Sequence, residues 1–271
     1  MPLPRLHLFE FEDQPWFPAL LRRGMTDYLA EMIARTNPYA PVVAPLRDLI
    51  DRARPSTVVD LCSGGGGPWP QLIAPVLDGH PATSVRLTDA YPNPDAVQRF
   101  PAGAPVHYRQ TPQAVDACPV EPGTIRTLFS CFHHFRPAHA RAILADAAAA
   151  ATPIAVFEAT SRSVKSLLLM TLVPIAVLVL TPLIRPFRWW RILFTYLIPV
   201  IPVLVWWDGV VSVLRAYTPD ELRALANDSS TSALAWTAGE LQPPGAPLPV
   251  VYLLGLPRAL PPPASHQAGV P

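Results

Sequence analysis

The sequence predicts an α/β protein with a doubly wound, mostly parallel sheet covered by helices. Three observations carry this. Short runs rich in β-branched residues alternate with helically spaced stretches from residue 55 to about 163. The first run passes into "DLCSGGGG", Leu61 to Gly67 behind Asp60, with four glycines straight after a buried strand. The chain closes on two apolar runs joined by the Pro/Gly-rich "LQPPGAPL", a connection that favours an antiparallel pair.

The elements follow in order. Apolar residues at helical spacing in "FPALLRRGMTDYLAEMIA" and "VVAPLRDLI" predict helix from about Trp16 to Ala53. "TVVDL" is a short buried strand, and "PWPQLIAPVLDG" carries a helix ending near Gly79. "SVRLTDA" is a second strand, "DAVQRF" a short helix, "VHYRQ" a third strand and "IRTLFSCF" a fourth. An alanine-rich helix, "RPAHARAILADAAAAA", leads to a fifth strand, "IAVFEAT". This alternation implies right-handed crossovers. "TPDELRALA" opens another helix, with Thr218 as N-cap, Pro219 at the first helical position and Glu221 completing a capping box. "ALAWTAGE" and "PVVYLLGL" are the last two strands.

Composition narrows the function. Lys plus Arg number 21 and Asp plus Glu 20, a net charge of +1. That lacks the basic excess of a nucleic-acid binder, so no nucleic-acid partner is expected. Charged residues are 15% of the chain, against about 25% in soluble domains. Mean hydropathy is +0.25, a surplus of apolar surface. Cys62, Cys118 and Cys131 are odd in number and unclustered, which argues against a disulfide framework and a zinc site. No metal is expected. The N-terminus has no apolar core of a signal peptide.

In a doubly wound sheet, ligands lie beyond the carboxyl ends of the strands. Glycines there let a nucleotide-like ligand approach the main chain, and an acidic residue ending the second strand, here Asp89, can accept from ribose hydroxyls. A dinucleotide site needs G-x-G-x-x-G. From Gly64 or Gly65 the third glycine falls on Trp69 or Pro70, and from Cys62 the first is missing. The other pattern places an acidic residue before the glycines, as Asp60 is.

Asp60 followed by Cys62, Gly64 and Gly66 resembles the first motif of class I S-adenosylmethionine-dependent methyltransferases, an acidic residue before G-x-G-x-G, with Cys62 replacing the first glycine. The resemblance covers residues 55 to 160 and 217 to 257. It implies a Rossmann-like seven-stranded sheet with a terminal antiparallel hairpin. It implies S-adenosylmethionine as cofactor, its methionine part held by Asp60 and the backbone around Cys62, Ser63, Gly64, Gly65 and Gly66. Asp89 would bind the ribose, with Ala90 and Tyr91 beside the adenine. Asp116, next to Ala117, stands where the family contacts the adenine amino group; the alternative is a solvated loop carboxylate. Ser130 to His134 would line the methyl-transfer end.

A sulfonium carries its own leaving group, so alignment and exclusion of water do most of the work, with a base added for a hydroxyl or ammonium acceptor. His133 and His134 are the candidates, His133 preferred, since neighbours on a strand end point to opposite sides. The alternative packs both against the next helix. Glu158 ends the fifth strand on the same edge, as a positioning group or a plain loop carboxylate. Glu10, Glu12 and Asp13 precede Trp16 and Phe17 in a segment read either as a lid touching substrate through Trp16 or as a helix packed on the sheet.

Residues 166 to 184 and 192 to 207 are uncharged apolar arms around "RPFRWWR". A crossing helix needs about 20 apolar residues. The first arm qualifies, the second is marginal, and Trp189, Trp190, Trp206 and Trp207 sit at the ends as interface residues do. Both arms read as apolar all round, fitting lipid. The expectation is an inserted apolar helical hairpin in a membrane, crossing it or only dipping in, with Arg185, Arg188 and Arg191 meeting lipid phosphates in the shallow case. Two buried core helices are the alternative. Asp208, Ser212 and Arg215 share a helical face that either grips a polar substrate head or staples the hairpin to the domain.

The expected organisation is a helical lid segment over 1–54, a methyltransferase domain over 55–163 and 211–258, an inserted hairpin over 164–210, and a disordered tail over 259–271. The expected activity is methyl transfer to a lipophilic small molecule taken from the bilayer, with the catalytic domain on the cytoplasmic side. The alternatives are a soluble or protein acceptor with the hairpin as anchor only, and a non-catalytic membrane scaffold. The acceptor atom and the oligomeric state are not legible.

Overall fold

The computed structural model describes residues 3–228, 233–242 and 245–258. The tail expected over 259–271 lies outside them. Seven strands form one sheet: β1 (Thr57–Leu61), β2 (Ser84–Thr88), β3 (Val106–Tyr108), β4 (Thr124–Phe129), β5 (Ile154–Glu158), β6 (Leu234–Leu241) and β7 (Val250–Pro257). Their order is β3-β2-β1-β4-β5-β7-β6. The first five run parallel, and β7 is antiparallel to both β5 and β6. This is the expected doubly wound sheet with its terminal hairpin.

Strand alternation feeds two cores, one on each face of the sheet. Val58, Ala155 and Phe157 pack with α2 (Val43–Ala53) and α3 (Trp69–Leu77) through Leu46, Leu49, Trp69 and Leu72. Val59, Leu61 and Val156 pack with α4 (Pro137–Ala149) and α9 (Pro219–Asn227) through Leu144 and Leu222. The expected N-terminal helix divides into α1 (Ala19–Thr36) and α2. Asn37 breaks it in the left-handed conformation, and Pro38 follows. At α9 the Thr218 hydroxyl accepts from Glu221 N while Glu221 accepts from Thr218 N, the expected capping box.

The insertion differs from a pair of straight arms. Its first half breaks into α5 (Val164–Met170) and α6 (Val173–Leu180) with Pro174 just inside α6, bent by 42°. Its second half, including α7 (Trp189–Ile192), bends by 77° at Pro199 into α8 (Val200–Arg215). No single helix among the described residues is long and apolar enough to cross a membrane; the two bent pairs meet the length and composition only together. The helix α8 runs unbroken through residue 210, the expected end of the insertion, to Arg215.

Nor is the insertion apolar-exposed all round. Val177, Ile201, Leu204 and Val205 form a third core with Phe17, Met25 and Tyr28 of the N-terminal region. The opposite side leaves Leu168, Leu172, Ile175 and Val179 exposed. Two arginines expected at phosphates are instead tied inward. Arg191 is buried with Nε 3.3 Å from Asp27 Oδ2, and Arg188 lies 3.3 Å from Asp95 Oδ1. Arg185 is exposed. Trp207, expected in an interface belt, donates to the Phe9 carbonyl and packs on the Phe9 ring.

Candidate active site

The carboxyl edge of β1, β2 and β4 carries the glycine loop. Asp60 sits near the end of β1, buried, with Oδ2 accepting from Ser63 Oγ (2.6 Å) and Oδ1 from Thr127 Oγ1 of β4 (2.6 Å). Burial pushes its carboxyl up to about 6, and these hydroxyls pull the other way. Asp60 therefore shapes the loop through Ser63. Cys62 turns the chain in the left-handed region, φ 59°. Asp89 spans the loop from β2: Oδ2 accepts from Gly64 N at 2.7 Å and Oδ1 from Tyr91 N at 2.6 Å. A carboxylate offers about four lone-pair sites, so acceptor capacity remains for hydroxyls of a ligand.

The glycines answer two demands. At Gly66 φ is 103°, which side-chain-bearing residues avoid. At Gly65 a Cβ would lie 2.8 Å from the Thr26 carbonyl oxygen and 3.0 Å from Ala30 Cβ. The close neighbour at Gly65 is thus α1, where the sequence suggested a ligand. Tyr108 OH donates to the Gly64 carbonyl at 2.7 Å and holds the loop from β3.

The remaining residues expected at the cofactor are placed as follows. Ala90 and Tyr91 are half-buried, and the Arg22 guanidinium lies 3.7 Å over the Tyr91 ring. Ser130 Oγ meets Tyr39 OH at 2.5 Å and accepts from Ala159 N, joining the ends of β4 and β5. Asp116 and Ala117 are exposed, and Asp116 pairs with His139 of α4 at 2.6 Å.

The cluster expected at the acceptor end is built from three distant parts of the chain. His133 and His134 do not continue β4 as strand. They lie in a 3₁₀ turn, Phe132–His134, so their rings stack on one side with centroids 4.4 Å apart instead of pointing to opposite faces. His133 Nδ1 donates to Glu158 Oε2 at 2.5 Å, and Glu158 Oε1 accepts from Phe132 N at 2.7 Å. Both side chains are buried, and His133 Nε2 has no hydrogen-bond partner. It faces Glu10 Oε1 at 3.9 Å. His134 Nδ1 meets Asp13 Oδ1 at 2.7 Å and Glu10 Oε2 at 3.2 Å. Burial works against a charged His134 ring, but Glu10 and Asp13 win and push it up to about 10.

Glu10 and Asp13 arrive on an N-terminal strap fastened to α8. Asp208 accepts from Phe11 N (2.9 Å) and Glu12 N (3.0 Å), and Ser212 Oγ donates to Glu10 Oε1 (3.2 Å). Arg215 donates to the Leu8 carbonyl (2.7 Å) and Asp13 Oδ2 (2.6 Å), and lies 3.3 Å from Glu10 Oε1. The shared face of Asp208, Ser212 and Arg215 thus holds the strap. Burial, then Asp208, lifts the Glu12 carboxyl well above its ordinary value. Trp16 is 66% exposed, edge-on to Phe11 and Phe17, and does not join the cluster. Sequence reading noted the three strap carboxylates but not their partners, which stand some 120 and 200 positions away.

No protein-family model and no curated protein sequence matches the chain. Solved structures do. The plantazolicin methyltransferase BpumL in complex with SAH superposes with a TM-score of 0.51 at 9% identity, over 89% of this chain and 96% of that one. The same enzyme with a monoazolic desmethylPZN analog and SAH gives 0.51 at 10% identity, over 89% and 96%. An O-methyltransferase family protein from Burkholderia thailandensis gives 0.47 at 18% identity, over 81% and 56%. With the strand order above, the first two show the fold, a Rossmann-like seven-stranded sheet of the kind seen in that methyltransferase.

Proposed function

We propose that the chain transfers the methyl group of S-adenosylmethionine to a hydrophobic small-molecule or lipid-like acceptor at a membrane surface. The observation that carries the reaction is His133, a buried imidazole with one nitrogen fixed by Glu158 and the other unpartnered, at the same sheet edge as the glycine loop. The loop fits the cofactor because Asp89, beside the Gly64 turn at the carboxyl edge of the sheet, keeps acceptor capacity for ribose hydroxyls. When bound, the cofactor supplies a methyl group on a sulfonium. His133 Nε2 takes the acceptor's proton, Glu158 stabilises the imidazolium that results, and the strap excludes water. Glu10 and Asp13, with Arg215 between them, hold His134 in place beside it.

The membrane part of the reading rests on the apolar side of α5 and α6. Leu168, Leu172, Ile175 and Val179 recur at helical spacing and are exposed, a surface suited to lying in a bilayer interface with the catalytic domain on the cytoplasmic side. The test is incubation with labelled methyl donor and total membrane lipid extract, then mass spectrometry of the products. A methylated lipophilic product is expected, lowered about 10²- to 10⁴-fold by His133→Ala. Calorimetry should show donor binding that Asp89→Ala weakens. Donor binding without any methylated product would favour a scaffold, and no donor binding would defeat the reading.

A further inference from the structure

The acceptor end carries more than a base needs. A ring nitrogen of His133, a ring nitrogen of His134 and a carboxylate oxygen of Glu10 lie within 4.8 Å of one another. We infer that Glu10, His133 and His134 form a binding site for a divalent transition metal ion of the zinc class. Two imidazoles and a carboxylate are the donor set of open catalytic zinc sites, at metal–ligand distances of about 2.0–2.2 Å, and leave a fourth position for a small ligand.

Four observations support this. First, His133 Nε2 is a buried nitrogen without a hydrogen-bond partner, aimed at Glu10. Burying an unpaired imidazole nitrogen costs free energy unless something occupies it. Second, its Nδ1 donates to Glu158, and Glu158 is itself fixed by Phe132 N. A metal-bound histidine characteristically gives its other nitrogen to a carboxylate in this way, which sets the tautomer and raises the basicity of the ligating nitrogen. Third, Ser212 Oγ and Arg215 fix Glu10 from α8, so this ligand does not depend on a free rotor. Fourth, Glu10, Asp13 and Glu158 are three carboxylates around the two histidines, and Arg215 is the one guanidinium among them. With neutral imidazoles the cluster carries an excess of two negative charges, which a dication matches. An ion entering here takes the place of the proton held on His134, and that proton leaves to solvent.

The site joins the strap to the turn after β4, so its metal bridges two segments more than 120 positions apart in the chain. His133 then serves as ligand when the ion is present and as base when it is absent. The readout is metal content, so the inference stands or falls apart from methyl transfer.

The experiment uses the full chain. It is stripped with chelator, dialysed against Zn²⁺ or Co²⁺ near neutral pH, and analysed by elemental mass spectrometry and visible absorption. One equivalent of metal is expected, and Co²⁺ should give the intense d–d bands of a four- or five-coordinate ion. Glu10→Gln and His134→Gln should lose the bound metal, and Glu158→Gln should weaken it about 10- to 100-fold. His139→Gln, which alters an exposed His–Asp pair, should keep it. Absence of stoichiometric metal in the stripped and reloaded wild-type protein overturns the inference, as does equal retention by Glu10→Gln and His134→Gln. Should either variant fail to fold, the wild-type Co²⁺ spectrum decides: octahedral, weakly absorbing cobalt defeats the site.

Discussion

Asp60 shows how a single residue can serve a loop at a cost to the fold. Its carboxyl is pushed up to about 6 by burial, against an unfolded value of 3.8. Below about pH 4 the group is protonated in both states and nothing is lost. Between 4 and 6 the unfolded chain ionises while the folded one holds its proton, so stability falls as pH rises; above 6 the penalty is constant. Two pKa units amount to roughly 3 kcal/mol. Urea titrations of wild type and Asp60→Asn across this range should diverge by about that amount, the wild type losing ground as pH increases. Parallel curves would mean that Ser63 and Thr127 already compensate the charge. That Asp60 precedes a glycine loop was plain in the sequence. Its partnership with Thr127 was not, because β4 lies 67 positions on.

Among the elements, α1 decides what the glycine loop can be. Its backbone at Thr26 and its Ala30 side chain press on Gly65. Gly65→Ala should push helix and loop apart, with an overpacking cost of about 1–3 kcal/mol measured as a lower denaturation midpoint. An unchanged midpoint would show that α1 yields freely. Local signals made several elements readable: the alternation in β1 to β5, the capping box at Thr218, the Pro/Gly connection before β7. The turn after β4 misled because "SCFHH" has no breaker, yet the chain leaves the sheet at Ser130, which takes a φ of 44° to accept from Ala159 N. From there a 3₁₀ turn stacks two rings that an extended strand would separate.

At the scale of the molecule, the insertion is a third layer with one side in a core and one side open. Hydropathy could not reveal this, since both sides are equally apolar; only the presence of Met25 and Tyr28 opposite Ile201 and Leu204 distinguishes them. Replacing Leu172, Ile175 and Val179 together by serine should lower sedimentation with phosphatidylcholine–phosphatidylglycerol vesicles at least about tenfold, while leaving the sheet's circular dichroism intact. Burying each such side chain is worth about 1.5–3 kcal/mol, so three suffice for that change. Vesicle binding that survives the triple variant would place the contact elsewhere.

The strap has a consequence for how the protein is made. Asp13 leaves the ribosome well before its partner Arg215, which follows 202 positions later. At roughly 5–20 residues per second, translation separates them by roughly ten to forty seconds. Throughout that interval Glu10 and Asp13 wait in water without their cationic partner, and the buried cluster closes only when the late helix is released to meet the strap.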